Sequence, residues 1–217
     1  QISYSQNIKF EAENIETSEN NYITATTNVV IKDDLGTKIY GDKLIIDKNK
    51  NTYTITGNVK LEDEKNSLII NSNKIIFSEI ENTIKTFDQT KINKKNKYFL
   101  ETQNVLFDRN KKRIISNDET LIKDIFNNQF KIQQIDISTA NDTLIAKNVE
   151  LTDKDLNIYF LKDLYYDFKK GKILGKDIFV NQDNKISSKK FLPRMKSKSL
   201  IAGKDKLNFS KTVYTNC

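Results

Sequence analysis

Tyr53-Thr54-Ile55-Thr56-Gly57-Asn58-Val59-Lys60-Leu61 is the stretch whose reading decides the fold. It is rich in β-branched and aromatic residues, and it returns. ITATTNVVI begins at Ile23, IKTFDQTKI at Ile84, IISNDETLI at Ile114, TLIAKNVEL at Thr143 and KILGKDIFV at Lys172, with a partial copy, LIAGKDKL, from Leu200. Successive starts are 30, 31, 30, 29, 29 and 28 residues apart. Such a period marks a stacked architecture in which no single unit buries its own apolar face.

The last column of the stretch is aliphatic in every full copy: Ile31, Leu61, Ile92, Ile122, Leu151 and Val180. Two residues earlier stand Val29, Val59, Thr90, Thr120, Val149 and Ile178, and the column between is mixed, with Lys60, Lys91 and Glu150 among its members. Alternate residues of a strand face opposite sides, so this strand turns one face inward. Downstream, Gly41-Asp42-Lys43-Leu44-Ile45-Ile46-Asp47 lines up with 72–78, 102–108, 132–138 and 161–167. Its inward columns are Leu44, Ile75, Val105, Ile135 and Leu164, then Ile46, Phe77, Phe107, Ile137 and Tyr166. Upstream of these run Ile39, Ile70, Leu100, Phe130 and Tyr159. The step from Ile39 to Leu44 is odd, so strict alternation would put the two on opposite faces. A bulge or corner near Gly41-Asp42, Ser72-Asn73 and Thr102-Gln103 resets the parity and lets a bent strand pass from one sheet to another.

Polar clusters such as Asp33-Asp34-Leu35-Gly36, Lys48-Asn49-Lys50-Asn51 and Arg109-Asn110-Lys111-Lys112 separate the strands as hairpin turns. Helical spacing of apolar residues is nearly absent, and there are one proline and six glycines. The expectation is an all-β chain of antiparallel strands, over residues 8–182, in two facing sheets.

The net charge is +7, yet only three of 36 basic residues are Arg, so the excess reads as compositional bias rather than a phosphate-reading surface. Histidine is absent, which excludes His-based triads, general bases and zinc sites. No glycine-rich phosphate loop occurs. Asp33-Asp34 falls in a turn, and Asp47, Asp108 and Asp167 recur at strand ends, where they read as turn residues rather than a catalytic carboxylate pair. No enzyme activity, cofactor or metal is expected. No apolar run approaches the ~20 residues of a membrane helix. Residues 1–7 read as a flexible N-terminus, 183–199 as a connector around Pro193, and 200–217 as a final strand pair leading elsewhere.

The Thr56-Gly57-Asn58-Val59 turn, followed by a small-acidic-basic step into an apolar strand as at Gly41-Asp42-Lys43-Leu44, resembles the repeat of the lipopolysaccharide-transport periplasmic proteins. Leu192-Pro193-Arg194-Met195-Lys196 with Val213-Tyr214-Thr215-Asn216-Cys217 resembles the passage into the barrel of the outer-membrane lipopolysaccharide-assembly family (LptD, organic-solvent-tolerance proteins). In the middle copies the acid is replaced, by Asn73, Gln103 and Gln133.

The resemblance implies a twisted antiparallel β-jellyroll, open along one side, at the periplasmic face of the outer membrane of a Gram-negative bacterium. It would receive lipopolysaccharide from a bridge protein of the same fold and deliver it to a membrane β-barrel holding a lipoprotein plug, with no nucleic acid involved. Ile31, Ile39, Leu44, Ile46, Leu61, Ile75, Phe77, Ile92, Val105, Phe107, Ile122, Ile137, Leu151 and Tyr166 would line the lipid path. The sheet edge at Ile8-Lys9-Phe10-Glu11-Ala12 would dock the bridge protein. Cys217 would pair with a cysteine beyond this segment, tying the conduit to its barrel. The alternatives are a bridge protein of the same transport system, or a repetitive β-solenoid adhesin with a fully dry core.

Overall fold

The computed structural model describes residues 8–18, 20–181, 194–203 and 206–215. The expectations for residues 1–7 and for Cys217 fall outside them. The described residues form seventeen strands and no helix. In chain order these are β1 (Lys9–Glu11), β2 (Asn14–Thr17), β3 (Tyr22–Lys32), β4 (Thr37–Asp47), β5 (Thr52–Asp63), β6 (Leu68–Ser78), β7 (Thr83–Lys94), β8 (Tyr98–Gln103) and β9 (Leu106–Asp108). There follow β10 (Arg113–Ser116), β11 (Thr120–Asp124), β12 (Gln129–Ser138), β13 (Thr143–Thr152), β14 (Ile158–Asp167), β15 (Lys172–Asn181), β16 (Arg194–Ala202) and β17 (Leu207–Thr215). The all-β architecture expected from the period is therefore what the chain adopts.

The chain forms two compact units, Gln1–Lys95 with Glu101–Arg113, and Asn96–Leu100 with Ile114–Cys217. The division runs through β8 and β10. The period continues across the boundary without a break, which is why a single body is expected over 8–182.

In unit 1, β1 and β2 both lie along β3, and β3 to β7 pair consecutively and antiparallel, with β9 on β7. The long strands bend midway. Register slips between Thr26 and Val29, Tyr40 and Lys43, Thr56 and Val59, and Ser72 and Lys74. Thr27, Asn28, Gly57, Asn58 and Asp88 take positive φ at these corners. Asn and Gly adopt that left-handed conformation at least cost, which explains their place in the motif. The corners turn each ladder back on itself, so the first half of a strand faces the second half of its neighbours.

Unit 2 repeats the plan. β10 and β11 lie on β12, and β12 to β17 pair consecutively and antiparallel. Its corners are tighter, with Asn148, Asp177 and Lys211 at positive φ. The inward step across a corner is four residues in β5 (Ile55 to Val59) and three in β13 (Ala146 to Val149). The corners expected near Gly41-Asp42 and Ser72-Asn73 are present.

The connector expected over 183–199 lies outside the described residues as far as 193, and the remainder of it is not a connector. Residues 194–199 belong to β16, which pairs with β15 from Ile173↔Ala202 to Asn181↔Arg194. Met195, Ser197, Leu200 and Ala202 carry the apolar inward pattern of an ordinary copy, loosened by one Ser, and that loosening hides it.

Candidate functional site

Between the facing halves lies an almost wholly apolar interior. All fourteen residues expected to line a lipid path are buried there: Ile31, Ile39, Leu44, Ile46, Leu61, Ile75, Phe77, Ile92, Val105 and Phe107 in unit 1, and Ile122, Ile137, Leu151 and Tyr166 in unit 2. Cross-strand register stacks them, with Leu44 opposite Ile55 and Ile55 opposite Ile75 in unit 1, and Leu151 opposite Tyr159 in unit 2. Each fully buried Ile or Leu contributes about 1.5–3 kcal/mol, so the interior is the main source of stability. Lys60 is exposed and Glu150 half-buried, as the mixed column requires of an outward face.

Polar side chains inside gather at the corners and at the turns. At the corner of unit 1, where Thr90 replaces the usual Val, Thr90 Oγ1 donates to Thr86 Oγ1 at 2.7 Å, and Thr86 Oγ1 accepts the Val105 amide at 3.0 Å. Ser72 Oγ donates to the Phe87 carbonyl at 3.1 Å. These hydroxyls satisfy backbone groups left by the bend, whose burial unpaired would be costly.

The second place is the turns, where the expected aspartates serve structure. Asp33 Oδ1 accepts the amides of Leu35 and Thr37 at 2.9 and 2.8 Å, and Asp153 Oδ1 accepts those of Asp155 and Asn157, both at 2.9 Å. On the opposite turns, Asp47 accepts from Asn49 and Lys50, Asp108 from Lys111, and Asp167 from Lys169 and Lys170. The Lys111 amide bonding to Asp108 is the chief cause holding that carboxyl below its ordinary value. Ser78 and Ser138 fill the same column in alternate copies, accepting the amides of Glu81 and Asn141 at 3.3 Å.

The mouth of unit 1, opposite its corners, is bridged. Arg109, in the turn after β9, reaches across to the turn between β3 and β4. Its Nη2 lies 2.6 Å from Asp33 Oδ2 and 2.9 Å from Thr37 Oγ1, and its guanidinium stands 5.6 Å from the centre of the Phe77 ring. Both charged side chains are nearly sealed, 7% and 6% exposed. Ile8, Ile31, Ile39 and Ile84 complete the walls around a cavity of about 10 Å³, too small for an alkyl chain. Where the resemblance implies an open side, this mouth is shut.

Unit 2 also brings the turns of its two halves together. Tyr166 donates its hydroxyl to Asp124, and Asn128 Nδ2 donates to Asp124 Oδ2 at 2.9 Å and to the Tyr166 hydroxyl at 3.3 Å. Burial, then the bond to Asp124, pushes the Tyr166 hydroxyl well above its ordinary pKa. The Tyr166 ring packs on Phe130 and edge-on against Phe168, and Phe168 stacks on Tyr98 with centroids 4.3 Å apart. Outside, an open groove of about 450 Å³ is lined by Phe160 and Phe179 among Lys131, Lys162, Glu150 and Asp177, charges of both signs.

The interior columns are legible in the sequence, and the mouth is not. Arg109 and Asp33 sit in segments read only as turns. One signal was present: an arginine in a chain that otherwise spends lysine, suited to a forked hydrogen-bonded pair.

No family model and no curated protein matches the chain. Among solved structures it is similar to the crystal structure of LptH, the LptA-homologous periplasmic component of the conserved lipopolysaccharide transport device from Pseudomonas aeruginosa. That likeness has 13% identity and a TM-score of 0.27, covering 64% of this chain and 81% of that chain.

Proposed function

We propose that this chain is a periplasmic lipid conduit of the lipopolysaccharide transport system, sheltering acyl chains between the facing halves of its bent strands. The observation that carries the reading is the interior itself: in each unit, layer after layer contributes aliphatic or aromatic side chains inward, and charge is confined to the turns. Shielding an alkyl chain is worth about 0.8 kcal/mol per buried CH₂, so such a surface holds lipid without specific polar contacts. The resemblance of the repeat to the transport proteins supports the choice of lipid. Delivery to an outer-membrane barrel with its plug, and a Cys217 disulfide to that barrel, extend the same reading.

One observation favours the sibling role of bridge protein. β16 and β17 continue the ladder where a passage toward a barrel was expected. In either role β1, which pairs with β3 at Lys9↔Lys32 to Glu11↔Val30, offers a strand for docking a protein of like fold, and Phe10→Pro would weaken that docking.

Photo-crosslinking amino acids at Ile75, Ile92 and Ile137 should capture lipopolysaccharide in cells, whereas those at Lys60 and Glu150 should not. Equal labelling of both sets would refute the conduit and leave a dry structural core.

A further inference from the structure

Among the described ion pairs of unit 1, the most deeply buried stands at the seam between its two halves. Arg109 follows the last strand of one half, and Asp33 and Thr37 flank a turn of the other, 76 and 72 residues away in sequence. The two halves are covalently continuous through the corners. At the seam they meet through side chains, and there the guanidinium joins a carboxylate, a hydroxyl and an aromatic face. Directly beneath are apolar side chains, Ile31, Ile39 and Ile84. A pair so placed resists solvent but is specific in geometry: it holds when the halves meet and yields as a unit when they part.

We propose that Arg109, Asp33 and Thr37 form a latch at the mouth of unit 1, and that its release is the step that admits a single acyl chain to the interior. The inference rests on the acyl-chain reading of that interior. The cavity of about 10 Å³ under the latch cannot take a chain while the latch is closed. Parting the halves exposes the walls named above and leaves the described ladders of unit 1 whole, because each of these pairings keeps to one side of the corners.

The test separates the latch from the lipid. In the full chain carrying Cys217→Ser, Ile84→Cys reports the mouth through its rate of labelling by a maleimide. Arg109→Gln, and the milder Arg109→Lys should Arg109→Gln fold poorly, should speed that labelling at least tenfold. Unchanged labelling in Arg109→Gln and Arg109→Lys would overturn the latch. Entry of dansyl-labelled undecanoic acid, followed by its fluorescence in proteins with the native Ile84, should accelerate in the same variants. Faster labelling with no entry of the dansyl probe would leave a latch on an interior that does not take acyl chains, overturning the acyl-chain step and the conduit reading with it.

Discussion

Tyr166 gives its hydroxyl hydrogen to Asp124, a residue 42 positions earlier on the facing half of unit 2. The Tyr166 pKa is raised above its unfolded value of about 10, first by burial and then by that carboxylate. A raised folded pKa means stability fully present below the unfolded pKa and lost as pH climbs through the folded one. The expected outcome is steep loss of stability in alkali. Tyr166→Phe should cost about 1–3 kcal/mol at neutral pH and flatten the alkaline loss, measured by urea unfolding at a series of pH values.

Removing one member of the sealed pair in unit 1 leaves the other charge buried. Arg109→Met should destabilise by about 3–5 kcal/mol. Asp33→Asn added to it retains an acceptor for the turn amides and removes the stranded charge, so the double variant should recover more than half of the loss. A double-mutant cycle by urea denaturation checks this; simple additivity would show that the two side chains are not coupled.

Gly57 sits at a corner with φ of 83°, where an added Cβ would lie 2.8 Å from the Asp42 Cβ. Gly36 has nearly the same φ, 85°, but open space around it. Gly57→Ala should therefore cost about 1–3 kcal/mol and Gly36→Ala about 1 kcal/mol. Thermal unfolding of the two variants side by side measures the crowding at the corner; equal losses would mean that backbone conformation alone sets the cost.

Asp108 has a lowered pKa because of the Lys111 amide, against an unfolded value of 3.8. Its contribution is present above that value and lost as pH falls through the depressed one. Asp108→Ser, copying the neighbouring turns at Ser78 and Ser138, should keep the turn capped, change stability at neutral pH by less than about 1 kcal/mol, and remove part of the acid-side decline. Acid titration followed by circular dichroism compares the two proteins.

The fold was legible because a strand's parity is written in its sequence. The odd step from Ile39 to Leu44 demanded a corner, and both residues are buried on the inner face. Thr90 and Thr120 kept their column despite being polar, since the alignment, not hydrophobicity alone, placed them. The mouth was not legible, because Arg109 and Asp33 meet only through the bend of every strand between them. Periodicity records which face a residue shares and says nothing of which distant turn lies across the gap. The first part of β16, over 194–199, with Ser197 bonded to the Ser210 carbonyl at 2.8 Å in place of an aliphatic contact, escaped for the opposite reason: its pattern was too weak to be read as a strand.

The unequal corners explain why the repeat tolerates changes in length. Copies spaced 30 or 31 residues apart in the first half of the chain shrink to 29 later, as the four-residue inward step of β5 gives way to the three-residue step of β13, while the expected copy from Leu200 falls instead in the antiparallel β16. A one-residue insertion inside a flat strand would throw every later side chain onto the wrong face. At a corner the gain or loss is absorbed in the bend, which β5 makes with Gly57 and Asn58 at positive φ and β13 with Asn148, and both halves keep their apolar side inward. Duplication and drift could thus lengthen such a chain one copy at a time, with errors in copying tolerated at the bends and turns and purged from the straight segments between them.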